Sequence, residues 1–494
     1  MQQCGKAPKG ESGCRDSQRR RRTHGHDVRG VRGWRRMYAL PRWCVRASFA
    51  DMTLVRSIST LSLVFILYFS TSGGAFSTET LVASVGPGMA LGILVLVPMF
   101  YSIPEILIVG ELASMLPLEG GYYRWVQRAF GPFWAFQNGW LTWMYSLVDM
   151  AIYPKLFVTY LAWFAPHLPP WGVWVVGLVV IWGATAINLA GAARVGRSSI
   201  FAGTFIIAGF VAISIAALAH ATHVPWRPFS APGHAGAGGL AVGLSIALWN
   251  YIGWDNASTV QGEVKDATRS YPRALAITLP LVAAGYLVPL LATLSATDWT
   301  TWTEGGWPAI ALASGGVLGP LFAAWVALAG MVSALALFNA LLLAYSRIPF
   351  VMATDGLLPA ALARTDARGT PRVAVLSAAV CYSVFVLLPF GGLVVADVLL
   401  YSLALMLELG SLLALRVREP ALRGAFRIPL GTGAVAVLAL LPFSVLVLVV
   451  VLSFADGEYG LPAVTGAAVA IALGPLCYAF ARRHARDAGV TDPA

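Results

Sequence analysis

The sequence has 494 residues and is 58% hydrophobic but only 12% charged, whereas a soluble domain carries about 25% charged residues. Such a chain cannot cover itself with polar surface, so an ordinary soluble domain is excluded and a lipid bilayer is the expected solvent. The formal net charge of +11 does not indicate a nucleic acid partner, because 14 of the 34 Lys and Arg residues precede residue 57.

These basic residues define an N-terminal tail, residues 1–50, which we expect to be disordered. Its charge fits three interpretations: it sets the membrane topology, it contacts anionic lipid headgroups, or it precedes the true start of the protein. Met37 and Met52 are alternative starts. No apolar segment directly follows the basic residues, so a cleavable signal peptide is not predicted.

Long apolar runs follow the tail. In lipid, only helices and closed barrels satisfy their backbone groups, and continuous runs of about 20 apolar residues favour helices over alternating barrel strands. The sequence therefore predicts an all-α integral membrane protein. About twelve transmembrane helices are expected, at residues 57–83, 88–116, 132–163, 172–190, 199–219, 240–262, 273–296, 320–346, 372–390, 393–416, 432–453 and 461–482.

The charges of the loops support this number of spans. With the N-terminus in the cytoplasm, eighteen Lys and Arg residues fall in cytoplasmic loops and the C-terminal tail, residues 483–494. Only Arg227 falls in an outer loop. This asymmetry is the one expected for cytoplasmic loops. An even number of spans then places both termini in the cytoplasm.

Two predicted spans are interrupted, the first at residues 70–74 and the sixth at residues 250–256. The interruptions lie five spans apart, so residues 57–219 and 240–416 are expected to form two five-helix repeats of inverted topology. Residues 432–482 then supply two additional helices. Matched discontinuous helices indicate the central site of a transporter, whereas a single glycine would indicate only close helix packing.

Ionisable residues inside membrane spans are costly and usually functional. Asp255, in the second interruption, is predicted to bind an ammonium group or to cap the following half-helix. Glu79 and Asp149 are candidates for proton coupling, with a structural hydrogen bond as the alternative. The other ionisable residues predicted within spans are Glu105, Glu111, Lys155 and Glu408, interpreted as gate or structural residues, and Asp397.

The two interruptions suggest different substrates. Free amide groups at Ser72, Gly73 and Gly74 could hold the carboxylate of an amino acid. In the second interruption, Tyr251 and Trp254 could hold an ammonium group through cation–π contact or could simply pack in the core. The excess of acidic residues suits a polyamine, so the physical arguments leave the substrate open.

Other functional classes find less support. The five cysteines have no metal-ligand spacing, and no nucleophile with a base is recognisable at membrane depth. We therefore expect no metal, no cofactor and no enzymatic activity. A membrane sensor that does not transport is a remote alternative.

Several long motifs carry a family resemblance: YFSTSGGAFSTE (68–79), SIPEILIVGELASMLPLEGGYYRWV (102–126) and WNYIGWDNASTVQGEVKDATRSYPRAL (249–275). Through them, the chain from about residue 57 to 480 resembles the amino acid–polyamine–organocation superfamily. It is most similar to the branch of polyamine uptake and L-type amino acid transporters. The Trp254-Asp255-Asn256 triplet is similar to the polyamine-type version of this motif.

The resemblance implies a LeuT-type fold, in which ten helices form two inverted halves and two helices are added. It implies a substrate held between broken helices 1 and 6, with alternating access. It further implies a plasma-membrane carrier that imports amino acids or polyamines, usually with H⁺ as the coupling ion. An exchanger of neutral or cationic amino acids is the alternative.

Overall fold

In the computed structural model the described residues are all-helical, apart from a single parallel bridge between Ile58 and Val264. The predicted tail, residues 1–50, and the last seven residues, 488–494, lie outside the described part of the chain. The described residues are 54–232, 237–386, 393–455 and 461–487.

The described α-helices overlap the predicted spans, and the end of the ninth span, residues 387–390, lies outside the described residues. Short helices at Gly121–Phe130, Trp307–Ser314 and Arg347–Thr354 were not predicted. In chain order the helices are α1 (Thr60–Thr71), α2 (Thr78–Val85), α3 (Pro87–Val97), α4 (Ile103–Met115), α5 (Gly121–Phe130), α6 (Pro132–Leu161), α7 (Pro170–Leu189), α8 (Ala192–Leu218), α9 (Ala237–Trp249), α10 (Ala267–Ala296), α11 (Trp307–Ser314), α12 (Gly319–Tyr345), α13 (Arg347–Thr354), α14 (Arg372–Phe385), α15 (Leu393–Arg418), α16 (Thr432–Ala455) and α17 (Leu461–Asp487).

The helix boundaries follow local chemistry. Pro87, Pro132 and Pro170 each begin a helix, where the missing amide hydrogen costs nothing and the fixed φ suits the first turn. Ser59 caps α1, since its Oγ accepts a hydrogen bond from the amide of Ser62 at 3.2 Å. Within the described residues, seven helical segments are long and apolar enough to cross a membrane, and three shorter helices are also apolar.

The predicted interruption of the first span is present. Helix α1 ends at Thr71, and α2 begins only at Thr78. The amides of Ser72 and Gly73 both donate to the carbonyl of Tyr68, at 2.8 and 3.2 Å, which ends the helix. Gly73 has a φ of +81°, a conformation that side chains with a Cβ rarely adopt.

The predicted interruption of the sixth span is also present. Helix α9 ends at Trp249, and a 3-10 segment, Asn256–Glu263, follows six irregular residues. The side chain of Asn250 bonds the Ser77 hydroxyl at 2.9 Å, which links this interruption to the first. A Cβ added to Gly253 would lie 2.3 Å from the carbonyl oxygen of Ser70. The two interruptions therefore touch each other.

Uninterrupted helices surround the two interruptions. Helix α6 packs against α12 and α15, and α12 also packs against α1 and α8. Helix α10 packs against α1, α4 and α8. At the end of the described chain, α17 continues to Asp487, so the first residues of the predicted C-terminal tail are helical.

We expect Gly253→Ala to lower the melting temperature of the purified protein. The added methyl meets the backbone of Ser70, and φ at Gly253 is +104°, so the cost should be about 1–3 kcal/mol. Gly92→Ala is the matched control, because no atom lies within 4 Å of its added Cβ and alanine favours a helix by up to about 1 kcal/mol. Equal melting of the two variants would contradict the contact.

Candidate functional site

A polar cavity lies where the two interruptions face α6, α12 and α15. Its volume is about 30 Å³, which accommodates about two water molecules, so the cavity has room for little more than water in this conformation. Tyrosine and carboxylate side chains dominate its walls. The lining residues are Ser70, Thr71, Ser72, Tyr145, Asp149, Tyr153, Trp249, Ile252, Asn256, Leu337, Tyr345, Asp397 and Tyr401.

Two buried carboxyl groups lie in one wall of this cavity. Asp149 on α6 accepts hydrogen bonds from the hydroxyls of Tyr153 at 2.7 Å and Tyr345 at 2.9 Å. Asp397 on α15 lies close enough to Asp149 to interact with it electrostatically. Its Oδ1 has no hydrogen-bond partner among the described residues. This wall therefore has an oxygen atom available to a cationic ligand.

Asp255 is connected to the cavity through a tyrosine. Its carboxyl group is buried, and Oδ1 accepts a hydrogen bond from the hydroxyl of Tyr401 at 2.9 Å. The same hydroxyl accepts a bond from the amide of Gly253 at 3.2 Å. The Asp255 side chain makes no capping bond to the 3-10 segment that follows. The geometry thus directs this carboxylate towards Tyr401, which lines the cavity.

Two further buried acids lie beside Asp255. Glu105 Oε1 lies 3.3 Å from the Tyr401 hydroxyl, and Glu408 Oε1 accepts a bond from the Asn138 amide at 3.1 Å. Both carboxyl groups interact electrostatically with Asp255. Glu105 and Glu408, interpreted from sequence as gate or structural residues, therefore belong to the surroundings of the cavity.

Five buried carboxyl groups in and around the cavity lack a positive counter-charge in the part of the chain that the structure describes. Within the described residues, none of them forms an ion pair with a basic side chain. Burying unpaired negative charges together is costly. Protons, a cationic ligand or both must therefore neutralise the group, which consists of Glu105, Asp149, Asp255, Asp397 and Glu408.

The first interruption contributes backbone that is already hydrogen-bonded. The amides of Ser72 and Gly73 donate to Tyr68, and the amide of Gly74 donates to Ser72 Oγ at 3.2 Å. The carbonyl of Gly73 accepts a bond from Ser333 Oγ at 2.6 Å. A substrate carboxylate at this site would have to displace these internal bonds.

Tyr251 and Trp254 lie in the protein core and do not line the cavity. The hydroxyl of Tyr251 donates to the carbonyl of Leu94 at 3.0 Å, and its ring packs edge-on against Tyr286 at 5.3 Å between centroids. Trp254 is fully buried. Both placements match the packing alternative for these residues.

Glu79 and Lys155 also lie outside the cavity walls. Glu79 is buried, and its Oε1 accepts bonds from the amide of Gly305 at 3.1 Å and from the Tyr160 hydroxyl at 3.3 Å. Its Oε2 has no partner among the described residues. Lys155 is half-buried on α6. Of the two proton-coupling candidates, only Asp149 lines the cavity.

Glu111 forms a buried ion pair with Arg416, in which the guanidinium Nε lies 2.8 Å from Oε1. Glu111 Oε2 also accepts a bond from the amide of Ile428, and Arg416 donates to the carbonyl of Leu430, both at 2.8 Å. The pair therefore fixes the segment between α15 and α16 against α4. This geometry is that of a structural residue.

A second buried ion pair lies beside the start of α1. Arg347 is fully buried and donates to Glu263 at 2.6 Å, with Glu119 at 3.8 Å. The amides of Ser57 and Ile58 donate to the backbone carbonyl of Glu263, at 2.9 and 3.0 Å. These bonds join the start of α1, the segment after the second interruption and α13.

A model of the family described as amino acid permease matches residues 58–473. The chain belongs to this family. The permease is therefore a multi-pass membrane transporter and not an enzyme, and the resemblance seen in the sequence motifs is confirmed.

Several curated proteins are similar to this permease. Polyamine transporter PUT1 of Oryza sativa subsp. japonica is 34% identical over 404 residues, covering 81% of this chain and 74% of the relative. Polyamine transporter RMV1 of Arabidopsis thaliana is 32% identical over 424 residues, or 85% of each chain. The aromatic amino acid transport protein AroP of Escherichia coli (strain K12) is 26% identical over 342 residues, covering 64% of this chain and 72% of the relative. These relatives are thus named as transporters of polyamines or of aromatic amino acids.

Sequence reasoning located the acidic residues of the permease but missed their tyrosine partners. Tyr153 lies one helical turn after Asp149 on α6, so contact between these two side chains was predictable from their spacing in the sequence. Tyr345 and Tyr401 come from α12 and α15, and no local pattern connects them to their carboxylates. Only tertiary structure brings them together.

Proposed function

We propose that this permease imports polyamines by alternating access, with H⁺ as the coupling ion. The observation that carries the proposal is the group of five buried carboxyl groups around the cavity, without an ion pair to a basic side chain among the described residues. A polyamine has several ammonium groups and no carboxylate. An amino acid would bring a carboxylate into surroundings that already lack positive charge.

The proposed binding site combines both interruptions. Ser72 and Asp255 are the proposed direct contacts, and Gly73 and Gly74 shape the break beside them. Tyr251 and Trp254 are proposed to support the second interruption through packing. The two names of polyamine transporters among the relatives support this substrate class, and the similarity to AroP keeps an amino acid carrier as the second candidate.

Proton coupling is proposed to involve Asp149, because this carboxyl group lines the cavity between two tyrosine hydroxyls. A polyamine carries fewer positive charges than the five carboxyl groups can carry negative ones. A proton on Asp149 and a bound polyamine would therefore neutralise the buried group together, which would favour transport with both ligands bound. Glu79 stays a second candidate, buried at the other end of the first interruption.

The proposed architecture is a LeuT-type fold of twelve spans. Residues 57–219 and 240–416 would form the two inverted halves, and residues 432–482 the additional helices. The proposed setting is the plasma membrane, with both termini in the cytoplasm. The Arg347–Glu263 pair would then close the cytoplasmic side.

A thermal-shift series tests the substrate class. We expect spermidine and putrescine to raise the melting temperature of the purified permease, because a ligand at 100 times its Kd stabilises the folded state by about 2.7 kcal/mol. Leucine and glutamate should give no shift. Stabilisation by leucine or arginine without any effect of the polyamines would replace the proposal by the amino acid alternative.

A further inference from the structure

A second cavity lies away from the polar site, between α4, the first three turns of α10 and the segment before α16. Its volume is about 420 Å³. Arg269 and Arg273 line it together with the apolar side chains of Ile106, Leu107 and Phe426. The cavity therefore joins two positive charges to an apolar wall.

The two arginines are arranged to receive an anion. They lie four residues apart on α10, so they share one helix face, where like charges repel each other. Both are exposed, and neither guanidinium makes an ion pair or a hydrogen bond within the described residues. They also lie in the first two turns of a 30-residue helix, whose N-terminal dipole adds positive potential. Asp266, which directly precedes this helix, accepts a bond from Thr268 at 3.2 Å.

The apolar wall continues beyond the cavity along α3 and α4. Leu96, Phe100 and Ile103 are 52%, 47% and 40% exposed, and with Leu107 they follow one another at intervals of three or four residues. A π-helical segment, Pro98–Ser102, joins α3 to α4, and these exposed side chains form an apolar strip across the junction. The strip leads from the arginines along the segment Pro87–Met115, which is long and apolar enough to cross a membrane, so the acyl chains of a lipid could follow it.

The loop wall of the cavity is held in place. The amide of Phe426 donates to Ser114 Oγ at 2.8 Å, and the neighbouring amide of Ile428 bonds Glu111 at 2.8 Å. Phe426 is therefore positioned by two hydrogen bonds to α4. The cavity has a fixed third side, unlike a simple groove between two helices.

We propose that this cavity binds the phosphate headgroup of an anionic phospholipid, with Arg269 and Arg273 on the phosphate and the acyl chains along α3 and α4. Guanidinium groups suit phosphate because they can donate two parallel hydrogen bonds. The apolar strip distinguishes a lipid from a free anion. This lipid site is independent of the polar cavity and of the proposed substrate.

The experiment measures the melting temperature of the purified permease in detergent micelles containing either phosphatidylglycerol or phosphatidylcholine with the same acyl chains. The readout is the difference in melting temperature between the two lipids for each variant. A loss of stability that is independent of the lipid does not change this difference. The test variant is Arg269→Gln with Arg273→Gln. The matched control is Arg194→Gln with Arg197→Gln, which removes the same charge from exposed positions in the first two turns of α8.

We expect phosphatidylglycerol to stabilise the wild type and the control pair, and the test pair to lose this effect. Native mass spectrometry should show one retained phosphatidylglycerol molecule, with a Kd raised about tenfold or more in the test pair. Equal loss in both pairs, or no lipid difference in the wild type, would overturn the proposal. So would an equal stabilisation by inorganic phosphate in phosphatidylcholine micelles, which would indicate a free-anion site.

Discussion

Asp255→Asn is expected to reduce spermidine uptake by about 30-fold to several hundredfold, with expression unchanged. A buried ammonium group that loses its charged partner loses about 2–4 kcal/mol of binding free energy. The variant should not unfold the permease, because Asp255 shares its surroundings with Glu105 and Glu408. Removing one of three adjacent negative charges relieves repulsion.

Uptake of radiolabelled spermidine into proteoliposomes is the measurement, with the melting temperature as the second readout. A purely structural role predicts a lower melting temperature, whereas a substrate role predicts an equal or higher one with lost uptake. Tyr401→Phe removes the hydroxyl that binds Asp255 and should give a smaller loss. Wild-type uptake by Asp255→Asn would remove this carboxylate from the mechanism.

Glu111→Gln is expected to lower the free energy of unfolding by about 3–5 kcal/mol. The substitution leaves the guanidinium of Arg416 buried without its counter-charge, since both side chains of the pair are only 2% exposed. It also weakens the attachment of Ile428 to α4. Denaturation of the purified protein in mixed micelles measures the effect.

The matched control is Glu419→Gln, at an exposed ion pair with Arg128 that has a similar distance of 2.7 Å. Both partners are about one-third exposed, at 32% and 31%, so this change should cost only about 0–1 kcal/mol. If Glu111→Gln and Glu419→Gln were equally mild, the inner pair would not stabilise the segment between α15 and α16.

Much of the fold was predictable because apolar length alone decides where a helix crosses lipid. The interruptions were also predictable, since Gly73, Gly74 and Gly253 stand among polar residues in otherwise apolar runs. Helices α5, α11 and α13 were not, because helices of 8–10 residues depend on packing for their stability.

The candidate site was predictable in its charges but not in its geometry. A carboxylate inside an apolar span is visible in sequence, as at Asp149 and Asp255. The distance between two such carboxylates is not visible, so Glu105 and Glu408 are interpreted from sequence as gate or structural residues, apart from Asp255. The internal bonds of the Gly73 and Gly74 amides were equally hidden, because the acceptors are fixed only by the local fold.

The small volume of the polar cavity has a consequence for any measured affinity. A solute larger than a few waters can enter only when side chains that line the cavity, among them Tyr145 and Tyr401, have moved apart. If about one molecule in a hundred is open at a given moment, the apparent Kd is about a hundredfold weaker than the intrinsic one. The apparent affinity of this permease therefore depends on the fraction of molecules that are open as much as on the intrinsic affinity of the site.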